Sequence, residues 1–344
     1  MSQKWILAFL ILCPSLTFSF GPKTMPEEQL CGFRDLKGQI HVHSYLSHDS
    51  RGSLKEIAAA ANATGAKWVI LTDHLSARPN LSPKLLTIID GVTLIYGQEI
   101  ILKDQGSELK IILPKLSRQF RAHGHIEKYK GGDNQKWDAI ELVNFHANAV
   151  ANPIKLLIKL ILRPHKYKQL LSFVPEKNLE YWGLISRRQN KPIPIFAATD
   201  AHANLKILGI TLNSYESLFQ QVSTHIWLPP NQPLTEKNIL ESIKAGRTYI
   251  AFDYLGDSTN KFQFFAQNKE GQCSTEAIVD KPKGLAITNK LKNSKTAVFW
   301  NNILVNQYEN LPRIEIKNPK PGFWRVAIYK DGLPWIISRQ ILIK

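Results

Sequence analysis

The chain has 344 residues, 44% of them hydrophobic and 10% aromatic, which excludes a disordered or collagen-like polypeptide and leaves room for one large domain with a smaller companion. Forty-four basic residues against 28 acidic ones give a formal charge of +16, a field that favours phosphates, anionic lipid surfaces and acidic polymers. No arginine-rich tract or nucleic-acid-binding module accompanies that charge, which argues against nucleic acid as the main substrate.

Residues 1–20 predict a signal peptide: Lys4 precedes an apolar run from Trp5 to Cys13, and a less apolar stretch follows to Phe20. The run is shorter than the roughly 20 residues of a membrane span. No Ala-x-Ala cleavage pattern is visible, so an uncleaved anchor stays open, and Leu12 stands where a lipoprotein would carry a small residue. The expected location is periplasmic or secreted. Cys31 and Cys273 remain after cleavage, to pair across the domains or to persist as two thiols.

From Gly38 to about His202, short β-branched runs alternate with helical stretches, the pattern of a parallel α/β architecture, assigned here to residues 36–206. Ser53 and Glu56 form a capping box, Leu54, Ile57, Ala58 and Ala61 make one apolar face, and Gly65 is the stop. Predicted strands at 40–42, 68–71, 92–96, 140–143 and 193–198 each run into polar residues: His41 and His43, then Asp73-His74, Glu99, Asn144 with His146, and Asp200 with His202. Strand ends of a parallel barrel converge on one face, so these groups can meet. Residues 154–162, apolar apart from Lys155 and Lys159, read as a core or lid helix, with contact to an anionic membrane surface as the alternative.

Residues 207–344 change character. Apart from a helix at about 235–245, they predict short strands at 248–252, 285–288, 297–300, 324–329 and 335–343, hence a small all-β sandwich suited to support, substrate selection or attachment.

His41-Val42-His43 and Asp200-Ala201-His202 each place two ligands on one side of an extended strand. Imidazole and carboxylate together suit zinc, manganese or iron. One His-x-His is weak evidence; four strand ends in series are much stronger. Arg51 and Arg78, just after ligand-bearing motifs, could meet phosphate oxygens, though an ordinary surface position is the stronger reading for each; His165 and His225 read as incidental.

HVHSYLSHDS at 41–50, LTDH at 71–74, GQEI at 97–100, DAIELVN at 138–144 and ATDAH at 198–202 resemble, in order and spacing, the PHP (polymerase and histidinol phosphatase) superfamily of metal-dependent phosphoesterases. GRTYIAFD at 246–253, PGFWRV at 321–326 and LPWIIS at 333–338 resemble, more loosely, the β-rich extension of exported members and the carbaryl-hydrolase group. The resemblance implies a distorted seven-stranded barrel holding two or three divalent ions (Mn, Zn or Fe), with His41 and His43 on one ion, Glu99 bridging, and Asp200, His202 and His74 completing the cluster. It implies a further ligand at His123 or His125, and one at Asp49 or His48, where the usual Ser-Asp-Gly is longer by a residue. Glu108 is the nearest substitute for a histidine that many relatives carry after the glutamate motif, and His146 is an additional ligand candidate. Asp73 and His146 are the candidates for proton handling. The implied reaction is phosphoester hydrolysis by a hydroxide held between ions, which lower the pKa of water from 15.7 to about 7. Carbamate or carboxylic ester hydrolysis, and metal-stabilised binding of an anionic ligand at the cell surface, are the rival functions. Oligomeric state is not legible.

Overall fold

The computed structural model describes residues 31–74, 86–111, 119–131, 136–150, 171, 173–203, 206–207, 210–211 and 214–344. The signal-peptide segment, Arg78, His165 and the 154–162 run lie outside the described residues.

Seven strands close into a barrel. They are β1 (Arg34–Val42), β2 (Trp68–Asp73), β4 (Val92–Leu102), β5 (Gly106–Ile111), β6 (Phe120–Gly124), β7 (Ala139–Asn144) and β8 (Ile195–Ala201), with β8 returning to pair with β1; β3 (Leu86–Ile89) lies outside the ring, against β4. β2 is buried along its whole length, as a parallel strand covered on both faces must be. Between β1 and β2 lies α1 (Leu54–Ala63), with the capping box formed as the sequence requires. Its Ile57, Ala58 and Ala61 pack on Val42, Val69 and Leu71.

One strand departs from the expected parallel ring: β5 runs antiparallel to both β4 and β6. The cause is length. Only Lys103, Asp104 and Gln105 separate β4 from β5, whereas a parallel crossover needs a dozen residues or more. The reversal still serves the site, because the start of β5 reaches the barrel end where the parallel strands finish.

After β8 come a short hairpin, β9 (Lys206–Ile207) with β10 (Ile210–Thr211), then β11 (Ser223–Leu228) and β12 (Thr248–Ala251). Strand β1 is shared: Arg34 to Gly38 pair with β11, while Ile40 and Val42, on the same edge, pair with β8. The sheet continues from β12 through the C-terminal strands β21 (Leu333–Ile343), β20 (Gly322–Lys330), β17 (Lys295–Trp300) and β18 (Ile303–Glu309). A second sheet of β14 (Cys273–Ser274), β13 (Phe262–Gln267), β16 (Gly284–Asn289) and β19 (Arg313–Lys317) faces it, and the short β15 (Ile278–Val279) pairs with β21. Phe262, Phe264, Leu285, Ile287 and Ile314 of one sheet meet Tyr249, Val298, Val326 and Ile336 of the other in a single core, which is the expected sandwich. Cys31 and Cys273 are joined as a disulfide, Cα to Cα 5.8 Å, tying the start of β1 to the second sheet.

Candidate metal centre

The groups collect at the barrel end where the parallel strands finish. His41 interrupts the register of β1 against both neighbours and sits at φ +64°; Asp200 (φ +52°) and His125 (φ +48°) are left-handed as well. Such backbone costs about 1–3 kcal/mol for a residue with a side chain and persists only where its surroundings hold it. Here they do. Glu141, on β7, accepts from His41 Nδ1 at 2.5 Å through Oε2, and from the His125 backbone N–H and Asn144 Nδ2 through Oε1 at 3.0 and 2.9 Å.

Around His41 the ligand atoms crowd together. His41 Nε2 lies 3.1 Å from Glu99 Oε2 and 3.6 Å from Asp200 Oδ1; His43 Nε2 is 3.4 Å from each of the same two oxygens. His125 Nε2 is 3.5 Å from Glu99 Oε1 and from Asp200 Oδ2, so both carboxylates span two sets of imidazoles. Towards solvent, Asp49 Oδ2 lies 3.2 Å from His202 Nε2 and 3.6 Å from His74 Nε2, and His74 Nε2 is 3.3 Å from Glu99 Oε2. Overlapping triplets with mutual distances within 4.8 Å include His41-His43-Glu99, His41-His125-Asp200, His43-Asp49-His74 and His43-Asp200-His202.

This donor set fits divalent cations. His41 Nε2 and His43 Nε2 are fully buried and make no hydrogen bond, a costly arrangement for polar atoms unless something accepts their lone pairs. Burial works against a charge on His41, but Glu99, Glu141 and Asp200 outweigh it and hold its pKa well above the usual imidazole value. Burial brings His43 down to about 4, with the charges of His41 and His202 adding to it against Asp200. Asp200 and Glu99 resist burial through their histidine neighbours and titrate well below ordinary carboxylates.

Hydroxyls set the loop after β1. Ser47 Oγ donates to Asp49 Oδ1 at 2.7 Å and accepts from the His74 backbone N–H. Ser50 and Tyr215 donate to the His43 carbonyl at 2.9 and 2.6 Å.

The structure therefore brings His41, His43, Asp49, His74, Glu99, Asp200 and His202 together. It separates others. His123, named above as an alternative ligand, is not in the cluster: Nδ1 meets the Tyr181 hydroxyl at 2.8 Å, Nε2 the Gln105 carbonyl at 2.5 Å, and the ring stacks on Trp137. Two residues on, the left-handed turn that ends β6 swings His125 in instead. Asp49 rather than the exposed His48 faces the ligands. Asp73 does not line the pocket: its oxygens accept from Ser44 N and Oγ at 2.6 and 2.8 Å, which corrects its expected part in proton handling to one of anchoring the loop. Glu108 is paired with Arg121 through both oxygens. His146 stands at the pocket rim on α2 (Phe145–Val150), its ring 5.9 Å from His202, outside the ligand triplets. Glu141 escaped the sequence reading although it lies within DAIELVN; an acid inside an apolar strand was the available signal. The pocket over the cluster, about 730 Å³, is rimmed by Lys103, Lys128 and Lys130, with Ile101 and Tyr129 beside them.

Comparison with known proteins gives likeness at low identity. No family model matches the sequence, and no curated protein does. The chain is similar to several proteins of known structure. A two-domain protein of Bacteroides vulgatus containing a predicted PHP-like metal-dependent phosphoesterase shares 13% identity over 93% of this chain and 100% of its own, TM-score 0.42. PsfC of Pseudomonas syringae shares 16% over 64% of this chain and 92% of its own, TM-score 0.40. The lesion-specific endonuclease Q of Pyrococcus furiosus shares 15% over 61% of this chain and 56% of its own, TM-score 0.36. At these values the weight of any functional reading falls on the residues themselves.

Proposed function

We propose that the chain is an exported, metal-dependent phosphoester hydrolase. The observation that carries this is the pair of buried, unbonded imidazole nitrogens, His41 Nε2 and His43 Nε2, set between the shared carboxylates Glu99 and Asp200 at the foot of an open pocket. Glu99 and Asp200, with His41 and His125 on the inner side, His43 between, and Asp49, His74 and His202 on the outer, would hold the ions. Bound there, divalent ions supply Lewis-acid polarisation of a phosphoryl oxygen and a water of lowered pKa.

The chain's own groups do the rest. Lys103 and Lys128 attract an anionic substrate to the rim, and His146, exposed at the mouth, is placed to pass a proton to a leaving oxygen. The disulfide supports an oxidising compartment, hence a periplasmic or secreted location. Nucleic acid, against which the sequence argued, rejoins the candidate substrates, since nothing about this open, lysine-rimmed cleft excludes a polymer.

The test is metal content by mass spectrometry on the purified full chain, with hydrolysis of phosphomonoesters, phosphodiesters, a DNA duplex and aryl esters before and after chelation. Two or more ions and chelator-sensitive phosphoester cleavage are expected. Cleavage of aryl esters alone, or no activity after manganese, zinc or iron is restored, would overturn the proposal.

A further inference from the structure

The two sides of the ligand cluster differ in what stands behind them. On the inner side, each histidine whose Nε2 faces the cluster has a carboxylate on its other nitrogen: His41 Nδ1 meets Glu141 Oε2 at 2.5 Å, and His125 Nδ1 meets Glu127 Oε1 at 2.8 Å. Glu141 is fully enclosed and also takes the His125 backbone N–H, so one carboxylate fixes two ligands. Beyond these two, among the described residues of the cluster, no carboxylate hydrogen-bonds to the far side of a ring: His43 Nδ1, between the two sides, has Ser47 Oγ at 3.4 Å, and on the outer side His202 Nδ1 meets the Asp200 carbonyl at 2.9 Å, with the Asp200 carboxylate farther off at 3.7 Å. Among these groups Asp49 is the most open to solvent, its side chain 31% exposed, against 0% for His41 and His43, 11% for His125 and 13% for His74 and His202.

From this we infer that the cluster is built as two unequal metal subsites, a tight inner one (His41, His125, Glu99, Asp200) enforced by the positioning residues Glu141 and Glu127, and a weaker, exchangeable outer one (Asp49, His74, His202). A carboxylate on the distal nitrogen fixes the tautomer, orients the ring and raises the basicity of the ligating nitrogen; losing such a partner costs roughly 10–100-fold in metal affinity. A serine hydroxyl or a peptide carbonyl supplies orientation without the charge. The inner ion is therefore structural in its retention, while the outer one, beside the pocket opening, follows the free metal concentration. The inference rests on the metal-centre reading proposed above and adds an order of filling to it.

The experiment is the binding isotherm of Mn2+, and separately Zn2+, to the chelator-stripped full chain, followed by calorimetry and by ions retained after gel filtration. The unmodified chain should fill in two resolved steps and keep the first ion through filtration. Glu141→Gln and, at a less buried position where misfolding is a smaller risk, Glu127→Gln should weaken the first step roughly 10–100-fold and leave the second in place. Asp49→Asn should move only the second. One step of equal sites, or carboxamide variants that shift both steps together or neither, would overturn the inference. Absence of saturable binding to the unmodified chain would overturn the metal reading itself, which is a separate failure.

Discussion

His41 illustrates how a single side chain serves two states. Without metal, Glu99, Glu141 and Asp200 outweigh burial and raise its pKa well above the ordinary value, and a cation at Nε2 would compete with a proton there. Metal binding is therefore expected to release protons and to tighten as pH rises; calorimetry in buffers of different ionisation enthalpy measures it. The stability of the metal-free chain carries the same sign: the contribution of His41 is complete below the unfolded value near 6.5 and is lost as pH rises through the folded one. His43, lowered to about 4, opposes it by losing stability as pH falls from about 6.5 towards 4. His123 and His125 separate by role. His125→Ala should lower metal retention. His123→Ala should keep the metal and cost about 1–3 kcal/mol, since it removes a buried ring that stacks on Trp137 and bonds to half-buried Tyr181 and Gln105; chemical denaturation and metal analysis of both variants decide it. Most of the clustered candidate ligands were legible because histidine and acid recur after apolar runs. Which of His123 and His125 turns inward was not, because it depends on one left-handed turn that no residue type announces.

Elements show the same division between pattern and geometry. Strands that carry continuous apolar runs, such as β2 and β8, and the capped helix α1 were readable within a few residues. The reversed β5 was not read at all: GSELKI alternates charge with apolar side chains, and Glu108, which looked like a ligand, is instead half of an ion pair with Arg121 on β6. The turn into β5 has a strict requirement. Gly106 sits at φ +86°, and a Cβ there would lie 2.5 Å from the carbonyl oxygens of Gly124 and His125. Gly106→Ala is thus expected to cost about 1–3 kcal/mol and to displace His125 with its backbone. Denaturant midpoint and metal content should fall together; a stability loss with metal retention unchanged would mean that the turn and the ligand are uncoupled.

Across the whole molecule, barrel and sandwich are joined by hydrogen bonds and by a covalent link. The sequence suggested a boundary near residue 206, where composition changes, yet the sheet runs from β8 through β1 into β11 and on to the C-terminal strands. Composition reports local preference; it does not report which edge a strand will occupy. Residues 31 and 273 are 242 positions apart in sequence, and opening that disulfide should cost about 2–5 kcal/mol. A Cys31→Ser, Cys273→Ser double variant should therefore melt well below the unmodified chain, and a reductant should lower the unmodified chain to the same point. Equal melting of all three would show that the link adds nothing to the sheet contacts.

The shared strand β1 also sets the order in which this protein can be made. Its first half waits for β11, nearly two hundred residues later, its second for β8, about 160 residues later, and Cys31 waits for Cys273. Contacts of such long sequence separation form late and slowly. The strand that bears His41 and His43 is fixed only after β8 and β11 have been made. The candidate metal centre therefore depends on contacts whose sequence separation is among the longest in the molecule.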